Sequence, residues 1–371
     1  MLLISFKKKI NKLSIFIEKH EGKFSVIFFL LGFLIDNLTL GRIDSLTNNM
    51  ILLLWLFVAI FGIFIHNYGD YKEIRNSFIF KIYTFSPYII QLAFGALFSG
   101  FVVYYTRSST FFDSWPFFVF IYFILIANEK IRNQYEKFYF QIGILYFSIL
   151  AFLIFYLPVI FHKANFIIFV LSIFISISII FILWFIFVKF FGPIKKYNKK
   201  VFLSIIVVTL IFNIFYFTKK LPPVPLSAKN IDVYHYVQKL APGKYVAQDE
   251  NEEWYSFLDF SNKTIHRLKD EPVYVYSSVF APTDFKTKIK YLWYWFNEKK
   301  GKWELKSTYN QKLLGGRDNG FRSWSLIGPS KIKNGKWRVY LETNDDRVID
   351  RINFDIETVD KVQKLREVNL K

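Results

Sequence analysis

Cysteine is absent from this chain of 371 residues. No disulfide, thiolate nucleophile or Cys-ligated metal is open to it in any compartment. Histidine is scarce, and His20, His66, His162, His235 and His266 are each isolated in sequence. The short signatures of common enzymes are missing as well: there is no HExxH, no GxSxG, no P-loop and no GxGxxG. A zinc or Ser-His hydrolase would have to assemble its site from distant residues, and no metal or cofactor is expected. Acidic residues are few, 29 Asp and Glu against 48 Lys and Arg. In a soluble protein that balance would point to nucleic acid. Here the lysines cluster in short connections between long apolar blocks, which membrane topology explains and nucleic-acid binding does not.

What the chain has in excess is apolar surface: 53% of residues are hydrophobic and 21% aromatic, in long blocks rather than short periodic runs. Heavy use of Phe, Ile, Lys and Asn fits an AT-rich bacterial genome. A helix rises about 1.5 Å per residue and a bilayer core is about 30 Å thick, so a span takes roughly 17 to 25 residues. Seven such runs occur, near 24–40, 50–67, 86–105, 110–128, 139–161, 166–191 and 201–217. The first follows the basic stretch "SFKKKINKLSIFIEKHEGK" and precedes no small-residue cleavage site, so residues 1–23 read as a cytoplasmic amphipathic, basic N-terminus ahead of a signal anchor. Alternate connections on one side carry 17 Lys and Arg, whereas the other side has only Arg42, Arg107 and Lys163. The positive-inside rule then puts the amino terminus in the cytoplasm. Seven crossings put residues 218–371 outside, which for a bacterial inner membrane is the periplasm.

The prolines of "LPPVPLS", within 218–229, favour an extended, stiff linker that stands the next domain off the bilayer. In "AKNIDVYHYVQKLA" the apolar residues Ile231, Tyr234, Val237 and Leu240 recur every three positions, which predicts a short amphipathic helix. From about 244 the period becomes two. "EPVYVYSSVF", "KTKIKYLWYWF", "GKWELKSTY", "FRSWSLIG", "GKWRVYLET" and "RVIDRINFDIE" read as strands separated by Gly, Asn and Asp turns. Ile289, Tyr291, Trp293 and Trp295 share one face opposite Lys288 and Lys290, and Trp337, Val339 and Leu341 oppose Arg338, Tyr340 and Glu342. These tryptophans are expected in a core rather than on a ligand platform. The expected architecture is an α-helical polytopic bundle of about seven transmembrane helices, 24–217, followed by an all-β immunoglobulin-like sandwich, 230–371.

Several stretches resemble one bacterial family of multi-pass inner-membrane proteins whose C-terminal module is known only as a domain of unknown function. They are "GFLIDNLTLGRIDSLTNN", "RSSTFFDSWPFF", "FYFTKKLPPVPLS", "VFAPTDFKTKIKYLWYWF", "GGRDNGFRSWS" and "GKWRVYLET", distributed over most of the chain. The resemblance implies the same layout of membrane bundle plus outside β domain. It carries no reaction and no catalytic residues.

Polar residues predicted at the outer end of the bundle form the first candidate site: Asp36, Thr39, Arg42 and Asp44 from "LIDNLTLGRIDS", with Arg107 and Asp113. A carboxylate about two-thirds of the way through a span is costly unless paired, hydrated or turned inward. The functional reading is an anionic headgroup held by Arg42 and Arg107, with Asp36 or Asp113 as general base or selectivity element. The plainer reading is a set of Arg–Asp pairs that stitch helices together. Gln91, Gly95, Gly100, Ser172, Ser176 and Ser178 read as ordinary helix packing. In the β domain, "GGRDNG" presents Arg317 and Asp318 on a tight turn, and with Arg322, Trp324 and Tyr340 these form a candidate partner surface. The expected function is therefore non-catalytic, an envelope protein whose outside domain binds a protein or glycan. The alternative is a lipid-handling enzyme or flippase with a bound lipid at the Asp36/Arg107 cluster.

Overall fold

The computed structural model describes residues 34–71, 77–130, 134, 137–191, 197–241, 243–250, 263–361 and 364–370. Among the described residues six helices are long and apolar enough to cross a membrane: α1 (Leu46–Tyr71), α2 (Ser77–Thr106), α3 (Phe111–Lys130), α4 (Phe138–Phe161), α5 (Phe166–Phe190) and α6 (Asn198–Phe217). They coincide with six of the seven expected spans, and large apolar side chains such as Phe57, Phe61, Phe123, Phe174 and Phe185 are exposed on them. Such a surface is tolerable in lipid and not in water, so this is a membrane protein. Residues 34–39 are helical. The rest of the first expected span and the basic N-terminus lie outside the described residues.

The chain divides into two compact units, Met1–Val103 with Ile121–Ser148 and Ile182–Ser204, and Tyr104–Phe120 with Ile149–Phe181 and Ile205–Lys371. In the first, small residues let helices approach closely. A Cβ on Gly100 would meet Leu52 at 2.8 Å, and one on Gly62 would meet Ile90 at 2.9 Å. Amide pairs bridge helices there. Gln91 Nε2 donates to the Asn128 carbonyl at 3.1 Å, and Asn128 Nδ2 returns the bond to the Gln91 carbonyl at 3.2 Å. Asn67 Nδ2 reaches Gln141 Oε1 at 2.7 Å. In the second unit Ser172, Ser176 and Ser178 donate to carbonyls one turn back.

The second unit also holds eleven described strands in three sheets. A three-stranded sheet runs β1 (Ser227–Tyr234), β5 (Val273–Phe280), β8 (Phe321–Ile327). A five-stranded sheet runs β4 (Lys263–Arg267), β10 (Val348–Thr358), β9 (Gly335–Thr343), β6 (Lys286–Asn297), β7 (Lys302–Leu314). These two face each other over a core containing Val275, Tyr291, Trp293, Trp337 and Phe354, so Trp293 and Trp337 are core residues as their alternation required. The polar atoms in this core are satisfied across the sheets. Tyr291 OH lies 2.6 Å from Ser277 Oγ and 2.7 Å from Ser323 Oγ, and Trp293 Nε1 donates to Ser325 Oγ at 3.0 Å.

Three expectations need correction. The predicted helix at 228–241 is strand β1, a corner at His235, and strand β2 (Tyr236–Ala241). Strand β2 joins β3 (Lys244–Glu250) and β11 (Leu365–Leu370) in a third sheet, layered on the other side of the β1-β5-β8 sheet through Tyr245, Ala247 and Tyr276. The β-rich region thus has three layers, and the pair β4/β10 is parallel. Finally, "LPPVPL" is no stand-off linker: residues 221–226 are buried, turn back through bonds such as Leu226 N to the Pro223 carbonyl (3.0 Å), and deliver Leu226 into the core.

Candidate functional site

Alternation sets the chemistry of the five-stranded sheet. With Trp337, Val339 and Leu341 fully buried, Arg338, Tyr340 and Glu342 must point away from the core. Cross-strand register carries that outward face to Tyr294, opposite Arg338 on β6, to Asn353, opposite Arg338 on β10, and to Trp303 on β7, opposite Phe296. These side chains are half-buried and interlocked. The Arg338 guanidinium lies 4.4 Å from the Trp303 ring centre and 5.8 Å from that of Tyr340. Its Nε donates to Asn353 Oδ1 at 2.7 Å and its Nη1 to Tyr340 OH at 3.2 Å. Ring contacts complete the patch, Phe296 to Trp303 at 5.2 Å and Tyr294 edge-on to Tyr340 at 5.8 Å. Four aromatic rings, one guanidinium and one amide are thus held in fixed relation on an open sheet.

The end of the same sheet is tied to helix ends within its unit. Lys290 and Lys219 both pair with Asp346, and Arg351 Nη1 lies 3.5 Å from Asp113 Oδ1 with its guanidinium over Phe112. Lys220 Nζ donates to the Asp113 carbonyl at 3.0 Å, and Ser109 Oγ to the Val348 carbonyl at 3.0 Å. Burial and the neighbouring Asp346 carboxylate push Glu342 up to about 7, against the pull of Lys290 and Lys219. Burial likewise raises Asp350 to about 6 despite the Arg351 amide that bonds its carboxylate. Between the ordinary glutamate value of 4.5 and about 7 the folded chain therefore holds a proton on Glu342 that the unfolded chain has lost. Stability must fall as pH rises through that window. Glu342→Gln should remove this slope, leaving thermal melts unchanged at pH 5 and raised at pH 8; equal melting temperatures at pH 8 would refute it.

A second polar cluster joins residues that are far apart in sequence. His235 Nε2 lies 2.9 Å from Glu250 Oε1, and His266 Nδ1 lies 2.8 Å from Glu250 Oε2. The His266 amide adds a third bond at 2.6 Å. Burial opposes ionisation of Glu250, but these bonds overcome it and hold the carboxyl down at about 2. Beside it Lys263 sits between Asp249 (2.8 Å) and Asp232 (3.5 Å), donates to the Val233 carbonyl at 3.0 Å and covers the Tyr234 ring. Among the described residues no group of three or more His, Cys, Asp or Glu is arranged to hold a metal ion.

Of the residues expected at the outer end, Asp36, Thr39, Arg42 and Asp44 lie in the first unit and Arg107 and Asp113 in the second. Arg42 forms a two-pronged bond with Asp44, Nε to Oδ1 at 2.9 Å and Nη2 to Oδ2 at 2.7 Å. Thr39 Oγ1 donates to the Ile35 carbonyl at 2.7 Å, and Asp36 is half-buried. Arg107 is exposed, and Asp113 accepts from Thr110 as well as facing Arg351. The five residues expected on one partner surface are also separated. Arg317 and Asp318 occupy the turn after β7, where Gly316 and Gly320 have positive φ and a Cβ on Gly315 would run into the Pro282 carbonyl. Arg322 and Trp324 face the third sheet: Arg322 donates to the Gly243 carbonyl and Trp324 packs edge-on against Tyr245. Only Tyr340 lies on the aromatic patch. Its companions Tyr294 and Phe296 follow by continuing past Lys290 the alternation that put Lys288 and Lys290 outward. Trp303 needs the hairpin register.

A family model described as "Protein of unknown function (DUF2914)" matches residues 286–356, the stretch from β6 into β10 that builds the patch. No curated protein matches. Solved structures that match include a β-glucosidase from Listeria innocua in complex with glucose, at 13% identity over 30% of this chain and 16% of that one, TM-score 0.21. Another is a β-glucosidase from Kluyveromyces marxianus, at 14% identity over 31% and 17%, TM-score 0.18. The chain spans about a sixth of the length of those proteins. Scores this low assign neither a fold nor an activity. The family match covers less than a fifth of the sequence, so what the chain is similar to is a domain without an assigned role.

Proposed function

We propose that this is a non-catalytic integral protein of a bacterial inner membrane, with its amino terminus in the cytoplasm, whose β-rich region stands in the periplasm and binds an envelope partner, a protein or a glycan. The observation that carries the reading is the interlocked patch of Tyr294, Phe296, Trp303, Arg338 and Tyr340 on the open face of the five-stranded sheet. Tyr, Trp and Arg are the side chains that dominate recognition surfaces, because they offer large contact area and directed bonds at little entropic cost. The skew of Lys and Arg across connections supports the orientation. Two sheets facing each other over one core support an immunoglobulin-like sandwich at the centre of the β-rich region, with the β11-β3-β2 sheet as an addition. The pairing of Arg42 with Asp44, and of Asp113 with Thr110 and Arg351, weighs against lipid handling, since those charges already have protein partners.

Leu305 is half exposed and sits on β7 opposite Tyr294, at the margin of the patch. A photo-crosslinking residue placed there in whole cells should capture an envelope component. The same residue at exposed Lys299, in the hairpin beyond, should capture little. Equal labelling at both positions, or none at either, would remove the binding reading.

A further inference from the structure

We infer that the ligand of this face is a carbohydrate chain. The inference rests on the binding reading above and names its substrate class. A pyranose ring presents two kinds of surface, an apolar face of C–H bonds and a rim of hydroxyls. Its complement is a set of aromatic rings with fixed donors and acceptors among them, and the patch has that composition. Tyr294, Phe296, Trp303 and Tyr340 supply the rings, while Arg338 and Asn353 supply the polar groups among them.

The polar groups keep capacity for a ligand. Of the five guanidinium donors of an arginine, the bonds to Asn353 and Tyr340 use two, and an asparagine amide retains two donors when its oxygen is engaged. Both groups are oriented before any ligand arrives: the guanidinium by two hydrogen bonds and by stacking on Trp303, the amide by its bond to Arg338. Ordering costs on binding are correspondingly low. From Asn353 on β10 through β9 and β6 to Trp303 on β7 is three strand spacings, or about 14 Å, room for a short oligosaccharide laid across the strands.

Other occupants fit less well. An aromatic membrane anchor needs rings that project from the surface, whereas these rings are half-buried and braced against one another.

The test uses the full chain in nanodiscs, titrated by calorimetry with chitohexaose, cellohexaose and amidase-released peptidoglycan glycan strands. Saturable binding to at least one of these is expected. Trp303→Ala and Arg338→Ala should each weaken it about tenfold or more, and Trp303→Phe should keep most of it. Thermal melts on each variant separate lost binding from lost fold, and Arg338→Lys, which keeps charge without the planar fork, should behave like Arg338→Ala if directed bonds matter. No saturable binding to any of the three sugars, or binding that survives both alanine variants, overturns the carbohydrate assignment. If Leu305 then crosslinks to a protein or to lipid, the carbohydrate assignment is wrong while that crosslink identifies the true class of partner. If Leu305 crosslinks to nothing, the binding reading falls with it.

Discussion

Replacing Lys263 with methionine should cost the β-rich region roughly 3–5 kcal/mol, because it strands two carboxylates that the lysine neutralises. Asp249 has only 6% of its side chain exposed and contacts the ammonium through both oxygens, at 2.8 and 2.9 Å. Asp232 is 3.5 Å away on β1. Burial already pushes Asp232 above its ordinary carboxylate value, and Lys263 is the charge that pulls it back. Without Lys263 the folded chain would hold a proton on Asp232 that the unfolded chain releases, so the variant should lose further stability as pH rises above the ordinary value. Methionine fills much the same volume as the lysine stem, which isolates the charge. The expected result is a melting temperature well below the parent's, with a larger gap at pH 8 than at pH 5. Adding Asp249→Asn should restore part of the loss. A single variant that melts with the parent at both pH values would show that this triad is solvated and dispensable.

Trp337→Ala should be comparably severe, about 3–5 kcal/mol, against a total stability that for ordinary domains is about 5–15 kcal/mol. The indole is fully buried between the two facing sheets. It meets Trp293 edge-on at 6.4 Å, and its Nε1 donates to the Lys333 carbonyl at 2.8 Å. Deleting it opens a cavity against Trp293 and Phe354 and leaves that carbonyl without its donor. Urea unfolding followed by near-ultraviolet circular dichroism should show a lower midpoint with an unchanged slope. Trp337→Phe, which keeps one six-membered ring but loses the five-membered ring and its donor, should fall between the two. An alanine variant with the parent's midpoint would mean that these two sheets do not share a cooperative core.

Strands β6, β9 and β10 were legible because each has one face on a core, and a period of two survives wherever a single face is buried. Strands β1 and β2 were misread for a physical reason. The spacing of Ile231, Tyr234, Val237 and Leu240 imitates a helical stripe because the chain turns a corner at His235, and a register shift near Ala228 had already broken the alternation. Strands β4 and β11 are short, and their pairing partners are distant, as in the parallel match of β4 with β10. The His235–Glu250–His266 cluster was invisible for the same reason: its members lie on three separate segments, and only tertiary pairing brings them within hydrogen-bond reach. Tyr340 could be recognised from its place opposite a buried Trp–Val–Leu stripe. Arg322 and Trp324 could not be excluded from sequence, because the sheet that covers them arrives from residues 244–250.

Strands β6, β9 and β10 carry the aromatic patch toward one end and are fastened at the other, through Lys290, Asp346 and Val348, to Ser109 and Lys219. Their ladder bonds run perpendicular to the strands. A tug applied along the strands at the patch would therefore load many bonds side by side, as in a lap joint, and not peel them one after another. Mechanically the sheet is a tie-rod. Force arriving at Trp303 would reach the ends of α3 and α6 as axial tension before the sheet itself began to yield.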